Sequence, residues 1–392
     1  MLDAKDSSAA RQLFKKYYEG YQPEFQDLSQ REFGFGDFDK KIAFRHYAFS
    51  DAASFKRYIL DHVPAFISFS SSIYKNPAAR PMEKKVWIGS DLIFDLDASD
   101  LHLDCQAVHG RAWVCENCLS MVKEETVKLV EDFLIPDFGF SSSEIKINFS
   151  GNRGYHVRVS NNTVFSLGPA ERRSITEYIS GMNMDIASFF PTMGQRAKRL
   201  IGPKPSDYGW GGKLAKGIIH ALNSGEAELV KLGIDKKTAK KLSDSRADVI
   251  FGITTGNWDK VNIPKKAEFW SNALRSMAIA QGDSIDRNVT NDIHHLIRMP
   301  NTIHGDTGLI GKTIGSMNEL SRFDPMKDSV VFNDGHIVVL TSRVPKFNMC
   351  GQEYGPFNGE KAELPTCAAI YLILKRVATI EHTADRARGG GN

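Results

Sequence analysis

Residues 91–97 read Asp-Leu-Ile-Phe-Asp-Leu-Asp, an apolar run whose end carries two carboxylates, Asp95 and Asp97, spaced i and i+2. Side chains alternate faces along a strand, so this spacing sends both acids to one side and Phe94 and Leu96 to the other. Two carboxylates held that close repel each other. A fold keeps such a pair when something positive sits between them, and a hard divalent cation with oxygen ligands is the usual occupant. A lone Asp-x-Asp is also the pattern of many solvated strand ends, so its meaning depends on its company.

That company suits a phosphorylated substrate. Ser150-Gly-Asn-Arg-Gly-Tyr-His has two glycines that let the backbone turn tightly and expose amides to an anion. Arg153 offers a fork matching phosphate oxygens, and His156 and Arg158 alternate with Val157 and Val159 to share one face. An ordinary hairpin with a solvated Arg reads the same way. Further on, Ser284-Ile-Asp286 precedes Ile293-His-His-Leu-Ile-Arg298-Met-Pro-Asn-Thr-Ile-His304. Asp286 could complete a three-carboxylate metal site, with Arg298 and His304 neutralising a phosphate chain. The plainer readings are a helix cap for Asp286 and partly buried rings for His294 and His295. Arg45, in Phe44-Arg-His-Tyr, fits either a surface ion pair or a substrate contact.

A second kind of chemistry lies between. Cys105, Cys115 and Cys118 cluster, and Cys115-Glu-Asn-Cys118 has the spacing that lets two thiolates grip one tetrahedral metal. His109 is the natural fourth ligand, and His102 competes for the place. Four closed ligands leave no position for substrate, so the Zn2+ would be structural and pin a loop with little core of its own. An odd count of five cysteines and an intracellular setting argue against disulfides, and the extra ligands do not suit a redox pair. Cys350 and Cys367 read as small buried hydrophobes.

The elements that must position these groups follow from composition and periodicity. The chain has 392 residues, 42% hydrophobic and 25% charged, an ordinary globular balance with room for more than one substructure. No apolar run is long enough to span a bilayer, and the start of the chain has no export-like apolar stretch. The expectation is an intracellular protein, cytoplasmic or nuclear, with no membrane partner. The formal charge of +3 hides an excess of sixteen Lys or Arg over nine Asp or Glu within 181–280, which suits a polyanion as well as it suits solvated helices. Apolar spacing predicts helices over 3–19, 54–62 and 121–133, strands at 31–36, 42–47 and 86–89, and a hairpin of 144–149 with 155–160. The stretch 169–280 reads as mainly helical, interrupted by a Gly-rich loop at 208–212. Strand character returns at 309–314 and 336–340, a last helix is expected over 366–380, and the tail 386–392 reads as mobile. The outline is a mixed α/β core formed by 1–180 and 281–392, a zinc-binding loop over 99–120, and a mostly helical insertion over 181–280.

The order Asp-Leu-Ile-Phe-Asp-Leu-Asp, Cys/His cluster, Ser-Gly-Asn-Arg-Gly-Tyr-His, then a distant Asp before His-His-Leu-Ile-Arg-Met-Pro-Asn-Thr-Ile-His resembles the small catalytic subunit of archaeal and eukaryotic DNA primases. The likeness runs from Arg31 to about His304 and adds little beyond Thr313. It implies a primase-type core of central sheets flanked by helices, and a DNA-dependent RNA polymerase that starts short primers unaided on single-stranded DNA from NTPs. It further implies Mg2+ or Mn2+ at Asp95, Asp97 and Asp286, and triphosphate contacts through Ser150, Arg153, His156, Arg298, His304 and Arg45. Zn2+ would sit on Cys105, His109, Cys115 and Cys118, and a large accessory subunit would assist initiation. Asn152 departs from relatives that carry a second Arg there, leaving one charge fewer in the turn. The rival readings are a related polymerase that extends or repairs ends, a non-catalytic zinc-bearing nucleic-acid-binding subunit, and a metal-dependent nuclease.

Overall fold

The structure is a computed structural model that describes residues 2–23, 27–191, 200–281 and 286–381. Ser284 and the tail 386–392 lie outside the described residues. Two four-stranded antiparallel sheets form the frame. Its strands are β1 (Phe33–Gly36), β2 (Phe44–Tyr47), β3 (Phe66–Ser70), β4 (Ser72–Tyr74), β5 (Trp87–Ser90), β6 (Leu92–Asp97), β7 (Ile145–Phe149), β8 (Gly154–Val159), β9 (Leu296–Arg298) and β10 (Thr313–Ile314). One sheet has the order β2-β1-β3-β9 and the other β10-β7-β8-β6, with β4 and β5 pairing separately. The alternation anticipated for β6 is present: Phe94 and Leu96 are fully buried, while Asp95 and Asp97 stay half-exposed.

A buried ion pair ties the two sheets together. Arg31 Nη1 donates to the carbonyls of Ser70 (2.9 Å) and Ser71 (2.8 Å), and Nη2 reaches Asp91 at 2.8 Å, just before β6. The Asp91 amide in turn donates to the Ser71 carbonyl at 3.1 Å. The N-terminal helix, Ala4–Gly20, starts on an Asp3 cap and buries Phe14 and Tyr18. It braces the segment after β9: Tyr17 Oη donates to the Asn301 carbonyl at 2.7 Å, and the Ile303 amide donates to Tyr18 Oη at 3.3 Å. A three-stranded sheet of His336–Thr341, Lys361–Pro365 and Ala378–Ile380 packs on the helix Thr366–Leu374, all nine residues of which are buried.

Four local expectations change. Residues 309–314 give only the short β10, plus a bridge from Ile310 to Ile303. The final helix stops at Leu374, because Arg376 takes a left-handed φ of 61° and the Ala-Thr-Ile stretch pairs as a strand with His336–Thr341. The Gly-rich stretch 208–212 is not a loop but the opening of the helix Gly209–Ser224. There Trp210 is buried and its indole Nε1 donates to the Tyr178 carbonyl at 2.6 Å, which outweighs the poor helix propensity of the glycines. Cys367 is buried, but Cys350 is exposed at the tip of the Phe347–Met349/Gln352–Tyr354 hairpin, with its Sγ 3.8 Å from that of Cys367.

Contacts divide the chain into two compact units, one of 1–123, 143–169 and 288–392, the other of 124–142 and 170–287. The second is helical, with Pro169–Ile179 from its second residue on, Gly209–Ser224, Glu226–Lys231, Lys236–Asp244, Arg246–Thr254 and Lys266–Gln281. No described helix is long and apolar enough to cross a membrane.

Candidate active site

Strands β6 and β8 run antiparallel with Asp95 opposite His156 and Asp97 opposite Gly154, so the acids stand beside the turn that links β7 to β8. That approach needs glycine: a Cβ at Gly154 would lie 1.9 Å from the Leu96 carbonyl oxygen. Ser150 Oγ accepts from the amides of Gly154 (3.2 Å) and Asn152 (3.4 Å), closing the turn. Arg153 Nε pairs with Asp97 at 2.9 Å, and its Nη1 donates to the Arg111 carbonyl at 3.2 Å. His156 Nε2 lies 3.5 Å from Asp95 Oδ1. Burial first, then the nearby Arg298 and His295, push the His156 pKa down to about 3, so the ring is neutral at ordinary pH.

The segment after β9 closes the other side. Gly151 has a left-handed φ of 82°, and a Cβ there would come within 2.9 Å of His304 Cβ. His304 is 4% exposed, packs edge-on to Phe66, and accepts the Asp306 amide on Nδ1 at 3.1 Å. Its proton therefore stays on Nε2. Burial and the charges of Arg298, Lys41, Lys375 and Arg153 hold its pKa well below the usual imidazole value. With Nδ1 accepting from Asp306, the Nε2–H is the polar atom that His304 can still offer. Arg298 keeps its charge, although burial lowers its pKa to about 10. Its guanidinium lies 5.0 Å above the Phe66 ring, and Nη1 is buried without a hydrogen-bond partner. A buried charged donor is costly unless paired, so Nη1 is suited to donate to the oxygen of an anionic ligand.

Arg45 is engaged from within. Its Nε donates to the fully buried Glu32 at 2.8 Å, which also meets His46 at 3.2 Å and Lys85 at 3.4 Å. Burial opposes ionisation of Glu32, but the Arg45 hydrogen bond and these charges hold its pKa below the usual carboxylate range. Asp286 belongs to the second unit, half-buried immediately before the helix Arg287–Asn291. The sequence pattern passed over Glu32, although it stands inside the Arg31-Glu-Phe-Gly-Phe segment. It also passed over Lys41 and Lys375, whose charges reach His304, because neither lies in a motif.

The cysteine cluster is compact. One ligand atom each from Cys105, His109, Cys115 and Cys118 lies within 4.8 Å of the others, the one such group among the described residues. The Cys105–Cys118 and Cys115–Cys118 sulfur separations are 3.5 and 3.7 Å, and His109 Nε2 is 3.6 Å from Cys118 Sγ. A tetrahedron of ~2.3 Å metal–sulfur bonds has edges of about 3.8 Å, so these residues could hold zinc. His109 Nδ1 donates to the Gly110 carbonyl at 2.7 Å, which turns Nε2 towards the thiolates. His102 pairs with Arg111 Nη2 at 3.0 Å and stands outside the group, so the choice between the two histidines falls to His109. The CxxC opens the helix Glu116–Lys128, several residues earlier than the periodicity implied. The loop is anchored by buried Trp113, edge-on to Phe347 and Tyr371 at 5.9 Å each.

Comparison with known proteins finds relatives along nearly the whole chain. The family model described as DNA primase small subunit matches residues 94–315. The DNA primase small subunit PriS of Methanothrix thermoacetophila is 34% identical, over 97% of this chain and 100% of its own length. Its namesakes in Archaeoglobus fulgidus and Thermoplasma acidophilum are 32% and 33% identical, over 95% and 92% of this chain and 98% and 97% of theirs.

Proposed function

We infer the roles of these residues from one premise: this chain belongs to the DNA primase small subunit family. It is a primase catalytic subunit, a nucleotidyltransferase that synthesises RNA primers. In our reading it uses NTPs on a single-stranded DNA template, with Asp95, Asp97 and Asp286 as ligands for Mg2+ or Mn2+. The hard oxygen donors of a carboxylate pair suit such ions. When bound, the ions lower the pKa of the attacking 3′-hydroxyl and offset the charge of the departing pyrophosphate. The other groups orient and neutralise. Arg153 and Arg298 bind triphosphate oxygens, His156 and His304 donate as neutral imidazoles, and the Ser150 turn fits its backbone around the phosphates. Arg45 takes a share of the same charge while Glu32 holds it in place. Zn2+ on Cys105, His109, Cys115 and Cys118 stiffens the loop whose Arg111 carbonyl orients Arg153.

One observation carries this reading: paired carboxylates border the 150–154 turn at one end of a sheet, and His304, packed on Gly151 of that turn, shares the Phe66 ring with a guanidinium whose Nη1 is buried and unpartnered. A large primase subunit as partner and a cytoplasmic setting, by analogy with the archaeal relatives, complete the reading. The test is incubation with unprimed single-stranded DNA, labelled NTPs and Mn2+. The protein should make dinucleotides and short primers, and Asp95→Ala should make none while melting at the same temperature. Full activity in Asp95→Ala would remove the metal assignment. Extension of supplied primers without initiation would make the chain an end-extending polymerase instead.

A further inference from the structure

We propose that Lys375 is a nucleotide-binding residue, placing its ammonium beside the 150–154 turn to meet the phosphates of the incoming NTP. This deepens the reading above and rests on it. Lys375 lies outside the matched stretch 94–315 and in none of the motifs. Tertiary structure alone delivers it. The helix Thr366–Leu374 is buried along its whole length, and the left-handed Arg376 ends it sharply. Lys375 is therefore the first residue beyond the helix, and its Nζ reaches Asn152 Oδ1 at 3.0 Å and the Ala112 carbonyl at 3.4 Å. These two neutral acceptors hold the amine between the turn and the zinc loop.

Charge around that position is out of balance. Lys41 and Arg153 repel the Lys375 ammonium, and Asp306 and Asp97 attract it. Asp97 is already paired with Arg153 at 2.9 Å. Burial drives the Lys375 pKa down to about 8, and Arg153 and Lys41 add to the fall while Asp306 and Asp97 oppose it. Lys375 also lowers the His304 pKa, together with Arg298, Lys41 and Arg153, so all four cations are felt at one buried ring. A cluster of that sign, beside a turn with Gly151 at positive φ and a guanidinium with an unpartnered nitrogen, fits a polyanion. The competing account makes Lys375 a pin between the helix end and Asn152.

Lys375→Met separates the two. With phosphate contact, KM for NTP rises about 10- to 100-fold, the loss of one charge-assisted hydrogen bond, and kcat stays within about threefold. Direct binding of NTP weakens while binding of the nucleoside monophosphate holds, and Lys375→Arg keeps most of the affinity. Adding Asn152→Arg to Lys375→Met restores NTP affinity by returning a cation to the same spot. If KM does not move, or if triphosphate and monophosphate binding fall together with the melting temperature and Asn152→Arg restores neither, Lys375 is only a pin. The binding arms need no turnover, so they stand even if Asp95→Ala retains activity and the polymerase reading fails.

Discussion

Arg298→Met should separate function from stability with opposite signs. In the free protein the guanidinium gains about 0.5–2 kcal/mol from lying over Phe66 at 5.0 Å. Against this, a buried charged donor without a partner costs about 1–3 kcal/mol, and Nη1 is such a donor. The terms offset, so the unliganded variant should melt within a few degrees of the parent or above it. Nucleotide binding behaves differently. Losing one charge-assisted hydrogen bond to phosphate, worth about 1.5–3 kcal/mol, raises KM for NTP by roughly 10- to 150-fold. Ligand linkage makes the contrast visible without turnover. At a nucleotide concentration 100 times the parent Kd the parent gains about 2.7 kcal/mol, and a variant binding 100-fold more weakly gains about 0.4 kcal/mol. Thermal unfolding with and without NTP, alongside primer-synthesis saturation curves, measures both quantities. A variant that loses stability like an ordinary core truncation, yet keeps KM within twofold, would refute the reasoning.

Other perturbations probe the frame. Cys115→Ser should release zinc and lower Tm by roughly 5–15 °C. It should also raise KM for NTP, because the loop carbonyls of Arg111 and Ala112 hold Arg153 and Lys375; unchanged zinc content by atomic absorption would reject the ligand set. His156 titrates near 3 in the fold, below the unfolded value of about 6.5, so the unfolded chain takes up the extra proton. Stability from this group is complete above pH 6.5 and falls by about 1.4 kcal/mol per unit as pH drops from there towards 3. His156→Gln should flatten a plot of unfolding free energy against pH by about one proton over that window, and an unchanged slope would count against a buried neutral ring. Asp91→Ala strands Arg31 and Arg158 at the junction of the two sheets and should cost about 3–5 kcal/mol in urea unfolding, whereas a loss under 1 kcal/mol would show the pair is not holding them.

Much of the candidate site is legible in the sequence. Asp95 and Asp97 could be placed on one face because strand periodicity is local and strict. The 150–154 turn could be read from glycine spacing, and the thiol cluster from ligand spacing, since short loops leave few ways to arrange those atoms. Two things were not local. The 208–212 glycines looked like a loop because propensity is a weak prior, and burial of Trp210 overrode it. The electrostatic setting of His304 was the other, because it depends on burial and on charges that include Lys41, Arg153 and Lys375 from three distant segments. Motif residues and their order were thus set by sequence alone, along with the chemistry they could perform. Only the folded chain decided which groups are charged, chose His109 over His102, and carried Lys375 to a turn more than 200 residues upstream. The reason is that electrostatic environment and long-range approach are properties of packed neighbours, and no spacing along a chain encodes them.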